Sequence, residues 1–125
     1  NNMIIDNLNN KKYIIKNENI ILFSAGSGIT PIYQLAKNIL KNTNKVLTLV
    51  TCDKNESDIM IKYELDILDK KYNNLQWIKF LSQENGRITE DDIINLTENK
   101  SLVIICGPDK WNQLFTNKNL KLLIW

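Results

Sequence analysis

The chain carries, at residues 20–31, the stretch Ile-Ile-Leu-Phe-Ser-Ala-Gly-Ser-Gly-Ile-Thr-Pro. A mostly apolar run typical of a buried strand leads directly into a loop with two glycines, and an amphipathic segment follows. Glycine lets a backbone turn sharply and approach a ligand closely, while Thr30 is suited to cap the helix and Pro31 to be its first residue. The exposed amides of such a helix start favour a pyrophosphate, so the stretch predicts a phosphate-binding loop.

A plain strand-to-helix turn explains the same loop equally well when the loop is taken alone. It matches neither the G-x-G-x-x-G fingerprint nor a P-loop, because Gly28 is followed by no third glycine and no Lys-Ser/Thr pair. The interpretation of the loop therefore depends on the rest of the chain.

Short apolar runs alternate with longer amphipathic segments from Asn19 onward, which is typical of β-α units and a parallel sheet. The second predicted helix should bury a face formed by Ile59, Tyr63 and Ile67, and Thr89 with Asp92 should form a capping box for the third. We predict strands at residues 20–25, 46–52, 75–81, 102–106 and 120–125, helices at 31–40, 57–71, 90–96 and 110–117, and an isolated strand at 12–16.

Composition excludes several classes of function. With 125 residues, 43% of them hydrophobic, the chain can bury one core, and its net charge of +2 is not gathered into the basic stripe that nucleic acids require. The absence of histidine excludes Ser-His-Asp hydrolysis and histidine-ligated metals, and we expect no metal. No apolar run is long enough to span a membrane, so we expect no membrane contact from this chain. We expect a cytoplasmic location, or the cytoplasmic face of a membrane if an anchor lies upstream.

Two further candidate sites follow predicted strands, at the carboxyl ends where open parallel sheets bind ligands. Cys106-Gly107-Pro108 would place a small, soft side chain beside whatever fills the crevice, although a buried cysteine packing before a turn explains it more simply. Asp58 could accept hydrogen bonds from an adenosine ribose and repel a 2′-phosphate, with Asp53 as the rival for that role. An acid in a first helical turn also simply complements the helix dipole.

Four segments together resemble the nucleotide domain of the ferredoxin-reductase superfamily, most closely its cytochrome b5 reductase branch: residues 25–31, 56–65, 86–89 and 103–108. The resemblance implies an α/β fold with three layers, in which a doubly wound five-stranded parallel sheet of strand order 3-2-1-4-5 forms a Rossmann-like nucleotide-binding domain of ferredoxin reductase type. Residues 19–125 would then be the NAD(P)H-binding domain, and residues 1–18 a linker or the tail of a missing flavin-binding domain.

The resemblance also implies roles for individual residues. The glycine loop would cradle the cofactor backbone, Cys106 would align the nicotinamide for transfer, and Asp58 matches the acid associated with preference for NADH over NADPH. The catalytic candidates are Cys106, Ser27 and Thr30. The cofactor-binding candidates are Gly26, Ser27, Gly28, Thr30, Pro31, Asp53, Asp58, Cys106, Gly107, Pro108 and Trp111.

The implied reaction is hydride transfer from NADH to FAD, followed by electron transfer to a haem protein such as cytochrome b5. The FAD would be held by a flavin-binding domain of the same full-length protein, because the family's Arg-x-Tyr-Ser/Thr motif occurs nowhere in this sequence. We therefore expect this chain alone to bind a nucleotide without reductase activity. The family often continues Cys-Gly-Pro with Pro or Gly and then Met or Phe, whereas Trp111 here fills the apolar role or closes part of the pocket. Trp125 resembles the family's terminal aromatic residue, although core packing of a last strand is the simpler interpretation.

Three alternatives remain open at this point. The domain could be a non-catalytic, regulatory nucleotide-binding domain, or the electron-transfer subunit of another ferredoxin-reductase-type enzyme with a cysteine cluster beyond residue 125. It could also be a doubly wound domain with an unrelated ligand, since fold does not settle function.

Overall fold

A computed structural model describes residues 3–6, 12–15, 19–116 and 120–125 of the chain. It begins with an antiparallel pair, β1 (Met3–Asp6) and β2 (Lys12–Ile15). The strand predicted at residues 12–16 is therefore paired rather than isolated, and Lys16 lies outside the described residues. The assignment of residues 1–18 to another domain or a linker stays a prediction.

Five parallel strands form the main sheet: β3 (Asn19–Ala25), β4 (Val46–Asp53), β5 (Leu75–Leu81), β6 (Leu102–Cys106) and β7 (Leu122–Ile124). Their spatial order is β5-β4-β3-β6-β7, which confirms the predicted order 3-2-1-4-5. In the register, Leu22 of β3 lies between Leu49 of β4 and Ile104 of β6. Strands β4 and β5 are added on one side of β3, and strands β6 and β7 on the other side. In such sheets a ligand crevice is expected at this switch in strand order, outside the carboxyl ends of the strands.

The helices lie on both faces of this sheet, which gives three layers. They are α1 (Ile29–Asn42), α2 (Lys62–Lys71), α3 (Ser82–Asn85), α4 (Glu90–Thr97) and α5 (Asp109–Asn112), with 3-10 turns at Gly26–Gly28, Glu56–Asp58 and Gln113–Phe115. Thr89 caps α4 as predicted: its Oγ1 accepts from the Asp92 N–H at 3.1 Å, and its own N–H donates to Asp92 Oδ2 at 2.9 Å.

Each face of the sheet has its own hydrophobic cluster, because both faces of a parallel sheet are covered by helices. The first packs α1 and α2 on one face, around Leu22, Leu49 and Ile104. The second packs α4 and the turn at Gln113–Phe115 on the other face, around Phe23 and Phe115. The two clusters together fix the carboxyl ends of β3, β4 and β6 at one edge.

The helix predicted at residues 57–71 is wrong in its first five residues. A 3-10 turn and a left-handed Ile61, with φ of 51°, separate β4 from α2, which starts only at Lys62. The predicted buried face is also wrong, because Ile59 is buried but Tyr63 is 74% exposed and Ile67 is 48% exposed. The break rotates α2, so that Leu65 and Leu68 face the core instead.

Other boundaries also differ from the prediction, most clearly those of α1, α5 and β7. Helix α1 begins at Ile29 because the preceding 3-10 turn leads straight into it, so Thr30 does not cap it and Pro31 is its third residue. Helix α5 ends at Asn112 and tightens into a 3-10 turn, while Asn117 lies outside the described residues. Strand β7 is shorter than predicted because it pairs with only three residues of β6 at the edge of the sheet.

Candidate functional site

A cavity of about 650 Å³ opens at the carboxyl ends of the strands. This volume falls within the roughly 300–1,000 Å³ typical of small-molecule and cofactor sites. Its walls come from the segments that follow β3, β4, β5 and β6. The lining residues are Ala25, Gly26, Cys52, Asp53, Lys54, Asp58, Phe80, Ser82, Gly86, Arg87, Ile88, Pro108, Lys110, Trp111 and Leu114.

The glycine loop after β3 lies at the rim of this cavity with its backbone accessible. Gly26 is exposed, adopts a left-handed φ of 56°, and has no neighbouring heavy atom within 4 Å of the position a Cβ would occupy. Ser27 and Thr30 are exposed beside it but do not line the cavity. A ligand phosphate could therefore approach the backbone of this loop closely.

Two glycines let the loops after β3 and β6 pack against each other. A Cβ on Gly28 would overlap the backbone carbonyl of Cys106, and a Cβ on Gly107 would lie 3.1 Å from the Ala25 Cβ as well as overlapping the ring of Trp111. Gly28 is buried and sits directly before α1. The two loops that the sequence singled out are therefore in direct contact, and Pro108 and Trp111 continue from that contact into the cavity.

An acidic wall follows β4. Asp53 is half-buried and Asp58 is exposed, and both line the cavity. Burial, and secondly the negative charge of Asp58, raise the pKa of the Asp53 carboxyl to about 6. The two acids are thus close enough to interact, and both predicted ribose candidates lie at one site.

The raised pKa of Asp53 predicts a pH-dependent effect on stability. In the folded chain this carboxyl binds a proton more tightly than in the unfolded chain, so its ionisation destabilises the fold as pH rises from about 4 through 6. We expect Asp53→Asn to raise the free energy of unfolding by about 1 kcal/mol near pH 8 and to have no effect near pH 4, after allowing for solvent screening of a half-exposed group.

Urea unfolding of wild type and variant at both pH values measures this effect. The matched control is Asp69→Asn, which replaces an exposed acid on α2. An equal change at both pH values for Asp53→Asn would contradict the expected linkage.

Both cysteines are free thiols on the strands that flank β3. Burial, and then the charge of Asp53, raise the pKa of Cys52 to about 12, and burial raises the pKa of Cys106. Both thiols are therefore protonated near neutral pH. Cys106 packs against the first cluster and does not line the cavity, so its proposed alignment of the nicotinamide remains a prediction.

Trp111 forms part of the cavity's apolar floor and is held by aromatic packing. Its ring lies 4.9 Å from that of Phe115, which contacts Phe23 at 4.8 Å in an edge-to-face arrangement. The indole N–H is buried and lies close enough to the Cys52 thiol to lower its pKa, yet it reaches hydrogen-bond geometry with no described atom. The sequence prediction that Trp111 belongs to the site is consistent with this position.

Sequence reasoning placed Gly26, Asp53, Asp58, Pro108 and Trp111 in the site, and all five line the cavity. Gly28 and Gly107 support its walls, and Pro31 lies inside α1. Several lining residues were not predicted from the sequence. They are most of the wall after β5, including Ser82 and Arg87, together with Lys54 and Lys110. Arg87 is the sole arginine of the sequence and stands in a segment already noted for its resemblance, which was the available signal.

Two features are absent from the part of the chain that the structure describes. Its acids and cysteines form no group of three or more that could hold a metal ion. None of its helices combines the length and apolar character needed to cross a membrane.

A parallel sheet of this order, with a glycine loop and a ligand-sized cavity at its carboxyl edge, is the architecture typical of nucleotide-binding domains. The sequence profile described as the oxidoreductase NAD-binding domain matches residues 22–115. The chain belongs to this family.

Two curated relatives support the assignment. An inducible NADH nitrate reductase from Glycine max is 33% identical over 118 residues, and NADH-cytochrome b5 reductase 2-B from Vanderwaltozyma polyspora is 31% identical over 120 residues. The alignments cover 83% and 82% of this chain, but only 13% and 39% of those proteins. The chain thus corresponds to one part of each relative.

Solved structures show the same fold. The cytochrome b5 reductase domain of Ulva prolifera nitrate reductase has a TM-score of 0.69 at 19% identity, over 90% of this chain and 50% of that chain. A flavohemoglobin from Malassezia yamatoensis has a TM-score of 0.70 at 17% identity, over 87% of this chain and 31% of that chain.

Proposed function

We propose that this chain binds NADH across the carboxyl edge of its sheet and presents the nicotinamide to the FAD of a flavin-binding domain in the same full-length protein. The observation that carries the proposal is that the glycine loop, the two acids and the loop after β6 all line one cavity. When bound, the nicotinamide supplies a hydride that a flavin accepts, while the protein supplies binding and orientation.

The residues present fit a dinucleotide. The open space around Gly26 suits a close approach of phosphate to backbone, and Lys54, Arg87 and Lys110 offer positive charge at the cavity wall. Phe80, Trp111 and Leu114 offer an apolar surface for a flat ring. The proposal places Ser27, Thr30 and Cys106 beside the nicotinamide end, as the family resemblance implies; Ser27 and Thr30 follow Gly26 in the glycine loop, and Cys106 directly precedes the loop that carries Pro108 into the cavity.

The preference for NADH over NADPH rests on the acidic wall. Asp58 is exposed at the cavity, and its carboxylate makes no hydrogen bond or ion pair with any residue of the described ranges. It is free to accept from the two hydroxyls of an adenosine ribose, and a 2′-phosphate there would meet two neighbouring carboxylates. The names of the two curated relatives specify NADH, which supports the same choice.

Asp58→Asn tests the cofactor choice. The ratio of the NADPH dissociation constant to the NADH dissociation constant should fall about tenfold, because one repulsive charge of roughly 1.4 kcal/mol is removed. Calorimetric titrations with each nucleotide measure the ratio. Asp109→Asn, at an exposed acid after β6 that does not line the cavity, is the control and should leave the ratio unchanged.

Onward transfer to a haem protein such as cytochrome b5 follows from the same proposal. We expect this chain alone to leave cytochrome b5 oxidised in the presence of NADH, because it carries no FAD-binding motif. A polypeptide in which an FAD-loaded flavin domain precedes the chain should reduce the cytochrome. The absorbance of the reduced haem measures this reaction. Reduction of the cytochrome by the chain alone would contradict the claim that the FAD is held by a separate domain.

A further inference from the structure

Two segments that line the cavity, one after β4 and one after its neighbour β5, are joined by hydrogen bonds. We call residues 53–58 the acidic loop and residues 82–88 the facing loop. The Gln83 N–H donates to the Lys54 carbonyl at 2.9 Å, and Asn55 Nδ2 donates to Gln83 Oε1 at 3.4 Å. Neither Asn55 nor Gln83 lines the cavity, so both act on a ligand only through their neighbours.

The amide oxygen of the Asn55 side chain stabilises the turn that carries Asp58. Asn55 Oδ1 accepts from the Asp58 N–H at 3.1 Å and from Ser57 Oγ at 2.5 Å. It thereby caps the 3-10 turn at Glu56–Asp58, as asparagine commonly does at such positions. Because the Asp58 carboxylate has no partner among the described residues, its place in the cavity depends on this backbone turn.

A second contact connects the turn to strand β5 and helix α2. Glu56 pairs with Lys79 of β5 at 2.7 Å and with Lys62 of α2 at 3.9 Å. These are exposed ion pairs, which contribute little to position or stability. The Asn55 side chain thus joins the turn to the facing loop, beside the backbone hydrogen bond from Gln83 to Lys54.

We propose that Asn55 is the positioning residue for discrimination between NADH and NADPH, acting through Asp58. The inference rests on the proposed function. Repulsion between a carboxylate and a 2′-phosphate falls with their separation, so it discriminates only while Asp58 is held at the cavity wall. The bond to Gln83 orients the Asn55 amide so that its oxygen faces the Asp58 N–H.

Asn55→Ala removes both the oxygen that caps the turn and the amide group that donates to Gln83. The ratio of the NADPH to the NADH dissociation constant should fall about fivefold, somewhat less than for the loss of the Asp58 charge itself. Asn55→Ser restores a capping oxygen, and its ratio should stay within about twofold of the wild-type value. Asn55→Gly, which is well tolerated at a cap, gives a second side-chain deletion if the alanine variant folds poorly.

A double-mutant cycle separates positioning from a general loss of stability. In an Asp58→Asn background, Asn55→Ala should leave the ratio unchanged, since the charge that it positions is already gone. Thr43→Ala is the matched control, because it removes a hydroxyl that donates to the Ile39 carbonyl at 2.7 Å beyond the end of α1. It should lower the melting temperature without changing the ratio.

The possible results separate the role of Asn55 from the proposed function. A wild-type chain that prefers NADH, combined with an unchanged ratio in Asn55→Ala and Asn55→Gly, overturns the role of Asn55 alone. A ratio that falls equally in the Asp58→Asn background also overturns it. A wild-type chain that binds neither nucleotide even when a flavin domain is supplied, or that binds NADPH as tightly as NADH, overturns the proposed function and this inference together.

Discussion

Gly28→Ala should lower the free energy of unfolding by about 3 kcal/mol and abolish nucleotide binding at concentrations that saturate the wild type. An added Cβ would lie 2.7 Å from the carbonyl carbon of Cys106 and 3.2 Å from the Gly107 nitrogen. These are backbone atoms at the end of a buried strand, so the neighbour cannot yield as a flexible side chain would. The two loops that frame the cavity would have to separate.

The backbone of Gly28 makes the prediction specific to packing. Its φ of −60° and ψ of −16° are right-handed, so alanine introduces no conformational strain there. Gly26→Ala is the converse control, because its Cβ has open space while its φ of 56° is left-handed. It should cost about 1 kcal/mol. Urea unfolding of both variants measures the difference, and a smaller loss for Gly28→Ala than for Gly26→Ala would refute the close approach of the two loops.

Trp111→Ala should lower the free energy of unfolding by about 2–3 kcal/mol, because a half-buried indole and its contact with Phe115 are lost. Nucleotide affinity should fall by at least about tenfold, since the cavity loses its largest apolar lining side chain. The two effects have one cause, because the same side chain packs against the second cluster and lines the cavity.

Trp111→Phe is the matched variant for this prediction. A phenyl ring keeps the aromatic contact with Phe115 and adds no overlap at Gly107, so most of the stability and affinity should be retained. Chemical denaturation and calorimetric titration at the same temperature give the two quantities. An affinity for NADH that is unchanged in Trp111→Ala would show that the nucleotide does not contact this wall.

The central strands of the sheet could be predicted from the sequence because each is a short apolar run buried on both faces. The start of α2 could not be predicted. The apolar spacing of Ile59, Tyr63 and Ile67 favours a continuous helix, but the Asn55 cap and the left-handed Ile61 interrupt it. A β-branched residue in that region is strained, and Ile61 is retained there by packing against the first cluster, which is a tertiary contact.

Some residues of the candidate site could also be predicted from the sequence, and others could not. Gly26, Asp53 and Pro108 could be predicted because each stands directly after an apolar run, where a parallel sheet places its ligand edge. Phe80 and Arg87 could not be assigned, because β5 lies at the edge of the sheet and only the tertiary fold brings its following loop over the cavity. The link from Asn55 to Gln83 joins residues 28 positions apart and has no local sequence signal.

Amide NMR spectra of this chain during an NADH titration, with NADPH in parallel, test most directly whether the carboxyl edge of the sheet binds NADH. We expect shifts at Gly26, Gly28, Asp58 and Cys106, larger for NADH at equal concentration, and none at Thr43 beyond the far end of α1. Shifts that avoid the four residues, or their absence at millimolar NADH even after a flavin domain is supplied, would contradict the assignment of this edge as the NADH site.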